Sequence, residues 1–518
     1  MSALRKNVRP HGIDGLQATD CDVRNARQAL GRWGGGWQAG TDRPWLRVTS
    51  PGTGELIGFT SFCDLDDLER AVRSARAAAD RLAALPLSER IGLCREISDR
   101  VLEKKRDLAA LLTLEQGKDI EEAVAEIEAA ARAFGDAARL GRSLHQHEAL
   151  VQAKDRLALG HRRNVGVIAL IAGHAYPVGL PALACLAPAM ATGNAVVWQP
   201  APTTSLVSAA LVECITRVGL PADSVCLLPG ERGAIGRALM RHPDVAAAAL
   251  LTTREESDAL ISTWSNKVIY REECETGLVI VAADADIDAA ASAIAARSFA
   301  NAGQFARTSA RVVVHAEIHD RFVQALSALA LATTMDAGGP VGPVNHLAVL
   351  ERAREQIREA RRRGARVVGG SIREDSPTGL HLVPAVVSEI DRTSLLNAET
   401  SCGPIVPVRR FRSAEDLQGQ AIGPADDAIS VFTRSPGEAL TMAASLGAEA
   451  VTVNEVRGCL DGEATERFLR RRLEAMAPLT TLSMRLPLLV DAKISKDRPP
   501  DGIRRRRSAQ WTGAKTHV

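Results

Sequence analysis

The run Glu272-Glu273-Cys274-Glu275 sets one thiol among three carboxylates. A thiolate can add to a carbonyl carbon and a carboxylate can move a proton, so the run holds the two parts that carbonyl chemistry needs. The same carboxylates keep a neighbouring thiol protonated unless a cation, such as a protonated His174, lies close by. The plainer readings are a half-buried structural cysteine at 274, a packed loop histidine at 174 and a polar strand end at Glu272. The nine cysteines are scattered singly, with no Cys-x-x-Cys and no His-rich cluster. That spacing points to reduced cytosolic thiols, with no metal site and no disulfide framework expected.

Elements that could position these residues follow from the hydrophobic pattern. A chain of 518 residues that is 46% hydrophobic can bury two or three cores. Helical apolar spacing with good helix formers fills Leu68 to Ala84 and Glu89 to Leu114. From 164 to 271 short apolar strands alternate with helical stretches, the pattern of a parallel sheet with crossover helices, and 272–456 repeats it. The fold class is therefore α/β. Residues 1–40, which include Gly34-Gly35-Gly36, read as a flexible arm. The stretch around 147–163 reads as a polar hairpin and 479–490 as an edge strand. Residues 457–518 form a basic tail, with a basic amphipathic helix over Glu463–Met476 and the run Arg504-Arg505-Arg506-Arg507.

The net charge of +2 gives no global pull toward nucleic acid or a membrane. The arginine run has a single nearby aromatic, Trp511, which argues against nucleic-acid binding. No apolar stretch is long enough to span a bilayer and no signal peptide is visible, so a cytoplasmic location is expected.

Several segments in order resemble the aldehyde dehydrogenase superfamily over about residues 40 to 456. They include Glu115-Gln116-Gly117-Lys118, Leu186-Ala187-Pro188-Ala189-Met190-Ala191-Thr192-Gly193-Asn194, and Asn301-Ala302-Gly303-Gln304-Phe305-Ala306. Gly403-Pro404, Ser430-Val431-Phe432-Thr433 and Val451-Thr452-Val453-Asn454 follow. The resemblance implies a Rossmann-type dinucleotide domain over 41–146 and 164–271 and a catalytic-type α/β domain over 272–456. It also implies an oligomerisation element from 147–163 with 479–490. In such proteins a cysteine stands where Ala306 stands here, so the nucleophile position is lost. The oxyanion asparagine matches Ala175, in the run His174-Ala175-Tyr176-Pro177, and that donor is lost too. Glu272 falls at the general-base position as a relic, and Cys274 is an alternative nucleophile.

At the cofactor positions, Gln199 stands for the usual lysine. Thr253 stands for the serine of the pyrophosphate turn, beside Thr252 and the acids Glu255 and Glu256. Gly230 remains. Thr400 stands for the ribose-binding glutamate, with Glu399 one residue out of register. The altered cofactor positions imply no dinucleotide binding, or weak NAD(P) binding, and loss of nucleophile, oxyanion donor, ribose ligand and cofactor turn together implies a site no longer used for aldehyde oxidation. The reading that follows is a catalytically inactive relative serving as a structural, assembly or partner subunit, as a homodimer or in a complex with another chain. The alternative is an NAD(P)-dependent oxidoreductase of aldehydes with an atypical catalytic residue.

Overall fold

The computed structural model describes residues 27–38, 45–142, 147–153, 156–262, 267–271, 277–304, 311–333, 341–391, 393–399, 401–418, 428–448, 450–456 and 462–485. Among the described residues, four helices follow the first short strands: Leu65–Ala84, Leu87–Glu103, Lys105–Gln116 and Ile120–Gly141. Asp64 and Asp67 close the first with a reciprocal capping box. The long apolar pattern from 87 to 116 is two helices because it turns at Lys104, whose backbone leaves the helical region. Gly117 ends the third helix at φ 71, and a Cβ there would meet the Pro343 ring at 2.4 Å, so glycine serves both conformation and close approach. The fourth helix buries a face built largely of alanine, including Ala123, Ala130 and Ala137. Small side chains let the neighbouring helices approach closely.

The first large sheet has the order Val268–Arg271, Val245–Leu251, Val167–Ala172, Ala195–Gln199, Val225–Leu227, and then the ribbon Gly31–Trp33 with Gly36–Gln38. The first five strands are parallel. Val167–Ala172 is buried at every position, as expected of a strand covered on both faces. Of the five parallel strands it comes first in the chain, and the later ones are added on one side and then on the other. The order therefore reverses between Val167–Ala172 and Val245–Leu251, which opens a crevice at their carboxyl ends.

The second large sheet has the order Arg366–Val368, Ala385–Ser388, Ile405–Phe411, Arg311–His315, Leu278–Val281, Ala428–Phe432 and Ala450–Val453. All its pairs are parallel except the antiparallel edge at Arg366–Val368. A separate unit carries the antiparallel strands His147–Ala153 and Arg156–Arg162 in a three-stranded sheet with Leu479–Arg485.

Order begins earlier than an arm through residue 40 would allow. Arg27–Ala29 pairs with Leu56–Ser61, and the hairpin at Gly31–Gln38 extends the first sheet. Gly34 and Gly35, at φ 63 and 82, make its turn. The Gly35 N–H donates to the Asp223 carboxylate at 2.9 Å. The basic helix runs Gly462–Met476, and it is not merely solvated. Leu469, Leu473 and Met476 are buried in one hydrophobic core with Ala130, Ala137 and Leu186. The Arg472 guanidinium lies 5.2 Å from the Tyr270 ring centre and 5.0 Å from that of Phe468. Residues 1–26 and 486–518, with the Arg504–Arg507 run, lie outside the described residues. Among the described residues, no helix is long and apolar enough to cross a membrane.

Candidate functional site

The loop Gly173–Val178 leaves the carboxyl end of the first parallel strand at the point where strand order reverses. The Gly173 N–H donates to the Leu251 carbonyl at 2.6 Å, which ties the loop to the neighbouring strand end. Its backbone is then held from three sides. The His174 carbonyl accepts from the Gln116 side-chain amide. The Ala175 carbonyl accepts from Asn301 Nδ2 at 2.6 Å. The Val178 and Gly179 N–H groups donate to Glu126 Oε1 at 2.8 and 3.0 Å.

Glu126 also meets Lys118 Nζ at 2.5 Å, in a pair whose side chains are 0% and 1% exposed. The Lys118 ammonium lies 4.7 Å from the Tyr176 ring centre. Glu122, four residues before Glu126 on the same helix face, accepts from the Asn301 N–H at 2.9 Å. Burial raises the Glu122 carboxyl above its ordinary range, while the Asn301 hydrogen bond and Lys118 oppose the shift.

Asn301, Ala302 and Gly303 stand at φ 48, 52 and 66, three left-handed residues in succession. Such backbone costs on the order of 1–3 kcal/mol for a non-glycine residue and persists only where its surroundings enforce it. Enforcement here comes from Glu122, from the Ala175 carbonyl, and from close packing at Gly303. A Cβ at Gly303 would sit 2.2 Å from the Gly403 carbonyl oxygen. Gln304 continues the frame by donating from Nε2 to the Asn301 carbonyl at 3.1 Å and accepting from the Asn345 N–H at 2.8 Å.

Asn345 in turn donates to the Glu115 carbonyl at 3.3 Å. The Glu115 carboxylate accepts the Leu206 and Val207 N–H groups at 2.9 and 2.7 Å. Burial pushes its pKa from 4.5 up to about 8 against those two donors. A carboxyl raised on folding holds more protons in the folded chain than in the unfolded one. Its contribution to stability is therefore full below about pH 4.5 and is lost as pH rises through about 8. Glu115→Gln should flatten that part of the profile, checked as urea midpoints at pH 5, 6.5 and 8. An unchanged slope would show that Glu115 does not titrate there.

The cofactor positions line the carboxyl edge of the first sheet. Thr253 caps the helix Arg254–Ile261, its side chain accepting from the Glu256 N–H at 3.3 Å. The Glu256 carboxylate is turned back onto the Thr252 hydroxyl. Gly230 is buried at φ 152, and a Cβ there would lie 3.3 Å from the Cys63 backbone. Gln199 is wholly buried, and its Nε2 donates to the Glu231 carbonyl at 3.2 Å. It shapes the ledge after its strand. The edge of the crevice is thus made of strand ends, a close-packed glycine and a helix N-terminus, which fit the pyrophosphate of a dinucleotide.

Glu272, Cys274, Ala306 and Thr400 lie outside the described residues. Glu399, next to Thr400, pairs with Arg352 and accepts from Gln356 Nε2 at 3.5 Å. Cys402 is raised to about 11, chiefly by burial, with Arg352 opposing and Glu399 and Glu255 adding to the shift. That keeps it a thiol near neutral pH. His174 meets His346 edge-on, with ring centres 4.8 Å apart. Glu122, Glu126 and His346 were not singled out by sequence reasoning, and Gln116 and Asn301 were quoted only within segments of the resemblance, with no role given. The i, i+4 acids at 122 and 126 were a legible signal; nothing local marked His346.

Residues 37–463 match the model of the aldehyde dehydrogenase family. The NADP(+)-type succinate-semialdehyde dehydrogenase GabD of Escherichia coli (strain K12) is 30% identical over 395 residues, 75% of this chain and 81% of that protein. A glutarate-semialdehyde dehydrogenase of Pseudomonas aeruginosa is 28% identical over 394 residues, 74% of this chain and 80% of that protein. Among solved structures, an indole-3-acetaldehyde dehydrogenase complexed with NAD+ superposes with a TM-score of 0.82 at 25% identity, covering 90% of this chain and 98% of that one. A cysteine-to-alanine variant of P. syringae AldA, in complex with NAD+ and IAA, gives 0.81 at 25% identity over 90% of this chain and 98% of that one. The expectation of no cofactor, or weak NAD(P) binding, is overturned by these nicotinamide-dinucleotide relatives. It weighed single side chains such as Gln199 and Thr252, in a crevice built mainly from strand ends and a helix N-terminus. By the span of the match, the chain belongs to the aldehyde dehydrogenase family.

Proposed function

We propose that this chain is an NAD(P)-dependent oxidoreductase of aldehydes, semialdehydes among them, that works without a thiolate at position 306. The observation that carries the reading is the braced turn at Asn301–Gly303 and the loop at His174–Gly179, held by Gln116, Glu122 and Glu126. A strained turn fixed from several sides is what a site needs to hold reacting atoms in place, and a scaffold freed from chemistry has no use for the strain. The relatives named for succinate and glutarate semialdehydes support the substrate class. The cysteine-to-alanine variant in complex with NAD+ supports a cofactor site that does not depend on the cysteine.

Thr253 and the helix it caps would hold the pyrophosphate, with Gly230 flanking the crevice. A bound nicotinamide dinucleotide supplies the hydride acceptor. Ala306 offers no nucleophile, so a hydrated aldehyde is the species to be held. Glu272 is assigned to take a proton from its hydroxyl, and Cys274 is the alternative nucleophile.

The full chain should bind NADP+ or NAD+ saturably by calorimetry and should reduce it slowly with succinic semialdehyde. Glu272→Gln should lower that rate by about 100-fold or more with little change in cofactor affinity. Cys274→Ser should leave it unchanged. Binding of neither dinucleotide would remove the reading; loss of activity in Cys274→Ser would move the nucleophile to that thiol.

A second reading, assembly through the small sheet, rests on its being a unit of its own. Three short strands are marginal alone, and open strand edges invite pairing. A homodimer is expected in light scattering, weakened by deletion of residues 479–518. A monomer at micromolar concentration would exclude it.

A further inference from the structure

At the far end of the first sheet from the crevice lies a cavity of about 670 Å³ that the proposed chemistry does not use. The helix Ser205–Thr216 returns from the carboxyl end of its strand, so its last turn lies by the amino ends. The cavity opens there, between this helix, the start of Lys105–Gln116 and the strand Arg27–Ala29. Leu108, Leu111, Ala210 and Cys214 supply apolar walls. Arg27, Arg100, Lys104 and Arg217 supply positive charge, against the two lining acids Asp107 and Glu213.

Three of these cations have a plain structural role. Arg100, Lys104 and Arg217 lie at helix C-terminal ends, where the carbonyl dipoles favour them. Each also has an acid: Glu103 at 3.0 Å, Asp107 at 3.3 Å and Glu213 at 2.5 Å. Arg27 differs. It sits on a strand, it is exposed, and among the described residues no carboxylate lies within salt-bridge distance of it, although its charge acts on the buried Glu115 carboxyl. One exposed guanidinium outside any salt bridge, beside an apolar recess of small-molecule size, matches a ligand with one anionic head and an aliphatic tail.

We propose that this cavity binds a straight-chain aliphatic carboxylate, with Arg27 holding the head and Leu108, Leu111 and Ala210 the tail. The site is separate from the crevice and independent of the proposed reaction.

Calorimetry on the full chain with octanoate, octylammonium and acetate tests it. Octanoate should bind saturably at about one site per chain, and the other two should bind at least about tenfold more weakly, because each lacks one half of the match. Arg27→Gln should weaken octanoate about tenfold or more, since a charge-assisted hydrogen bond is lost. The exposed position leaves folding intact, as unchanged thermal melting will verify. Ala210→Trp, which fills the recess, should also weaken it, and Arg237→Gln, outside the cavity lining, should not. No saturable octanoate binding would overturn the proposal. So would octanoate binding to folded Arg27→Gln with wild-type affinity, which would place the ligand elsewhere. If Ala210→Trp does not fold, Arg27→Gln decides alone.

Discussion

Ala306→Cys combined with Ala175→Asn should oxidise succinic semialdehyde with NADP+ roughly 100- to 1,000-fold faster, in kcat/KM, than Ala306→Cys alone. The single change restores a thiol but no side-chain donor for the oxyanion that forms when the thiolate adds. A missing oxyanion donor costs about that factor because it acts on charge present only in the transition state. Position 175 is the place to restore it. Its carbonyl is tied to Asn301 at 2.6 Å, so an added side chain starts from a fixed backbone at the turn that leads to 306. Initial rates for the wild type, both single variants and the double variant check this. If Ala306→Cys alone matches the double variant, another group already supplies the donor and Ala175 is not the deficit. If the double variant does not exceed either single variant, the frame does not place the two positions together.

The parts of the fold that were legible are those where local pattern and tertiary packing agree. Val167–Ala172 reads as a buried strand because every position is apolar, and Glu463–Met476 reads as a helix because its apolar residues recur at helical spacing. The break at Lys104 was not legible, since the apolar spacing continues across it while the chain turns. The ribbon at Gly31–Gln38 was misread as an arm because its glycines suggest mobility. Their positive φ instead makes a tight turn that Asp223, far away in sequence, fastens.

The site divides in the same way. The substituted positions Ala175 and Ala306 stand out in the sequence by what they lack. The residues that brace the loop at Ala175 and the turn at Asn301 do so through backbone groups, and which carbonyl Gln116 holds or which N–H Glu122 accepts is not written in the sequence. Counting altered side chains therefore underestimated what remained, both for the cofactor and for the frame.

That frame has one point where a single change should be felt throughout. Glu126→Ala should cost about 3–5 kcal/mol of unfolding free energy, because it leaves the Lys118 ammonium buried without its partner. Both side chains are essentially inaccessible, at 1% and 0% exposure, so water cannot replace the carboxylate without local opening. The same change removes the acceptor for the Val178 and Gly179 N–H groups, adding to the loss and freeing the loop that carries His174 and Ala175. Replacing both partners, as in Lys118→Met with Glu126→Leu, removes the buried charge altogether and should recover part of the stability. It should not recover the loop, which still lacks its acceptor. Urea unfolding of the wild type, the single variant and the double variant separates these effects, and NADP+-linked activity in the folded double variant reports on the loop. A loss below about 1 kcal/mol in Glu126→Ala would mean that the pair is solvated or replaceable. The bracing of the loop would then have to come from Gln116 and Asn301 alone.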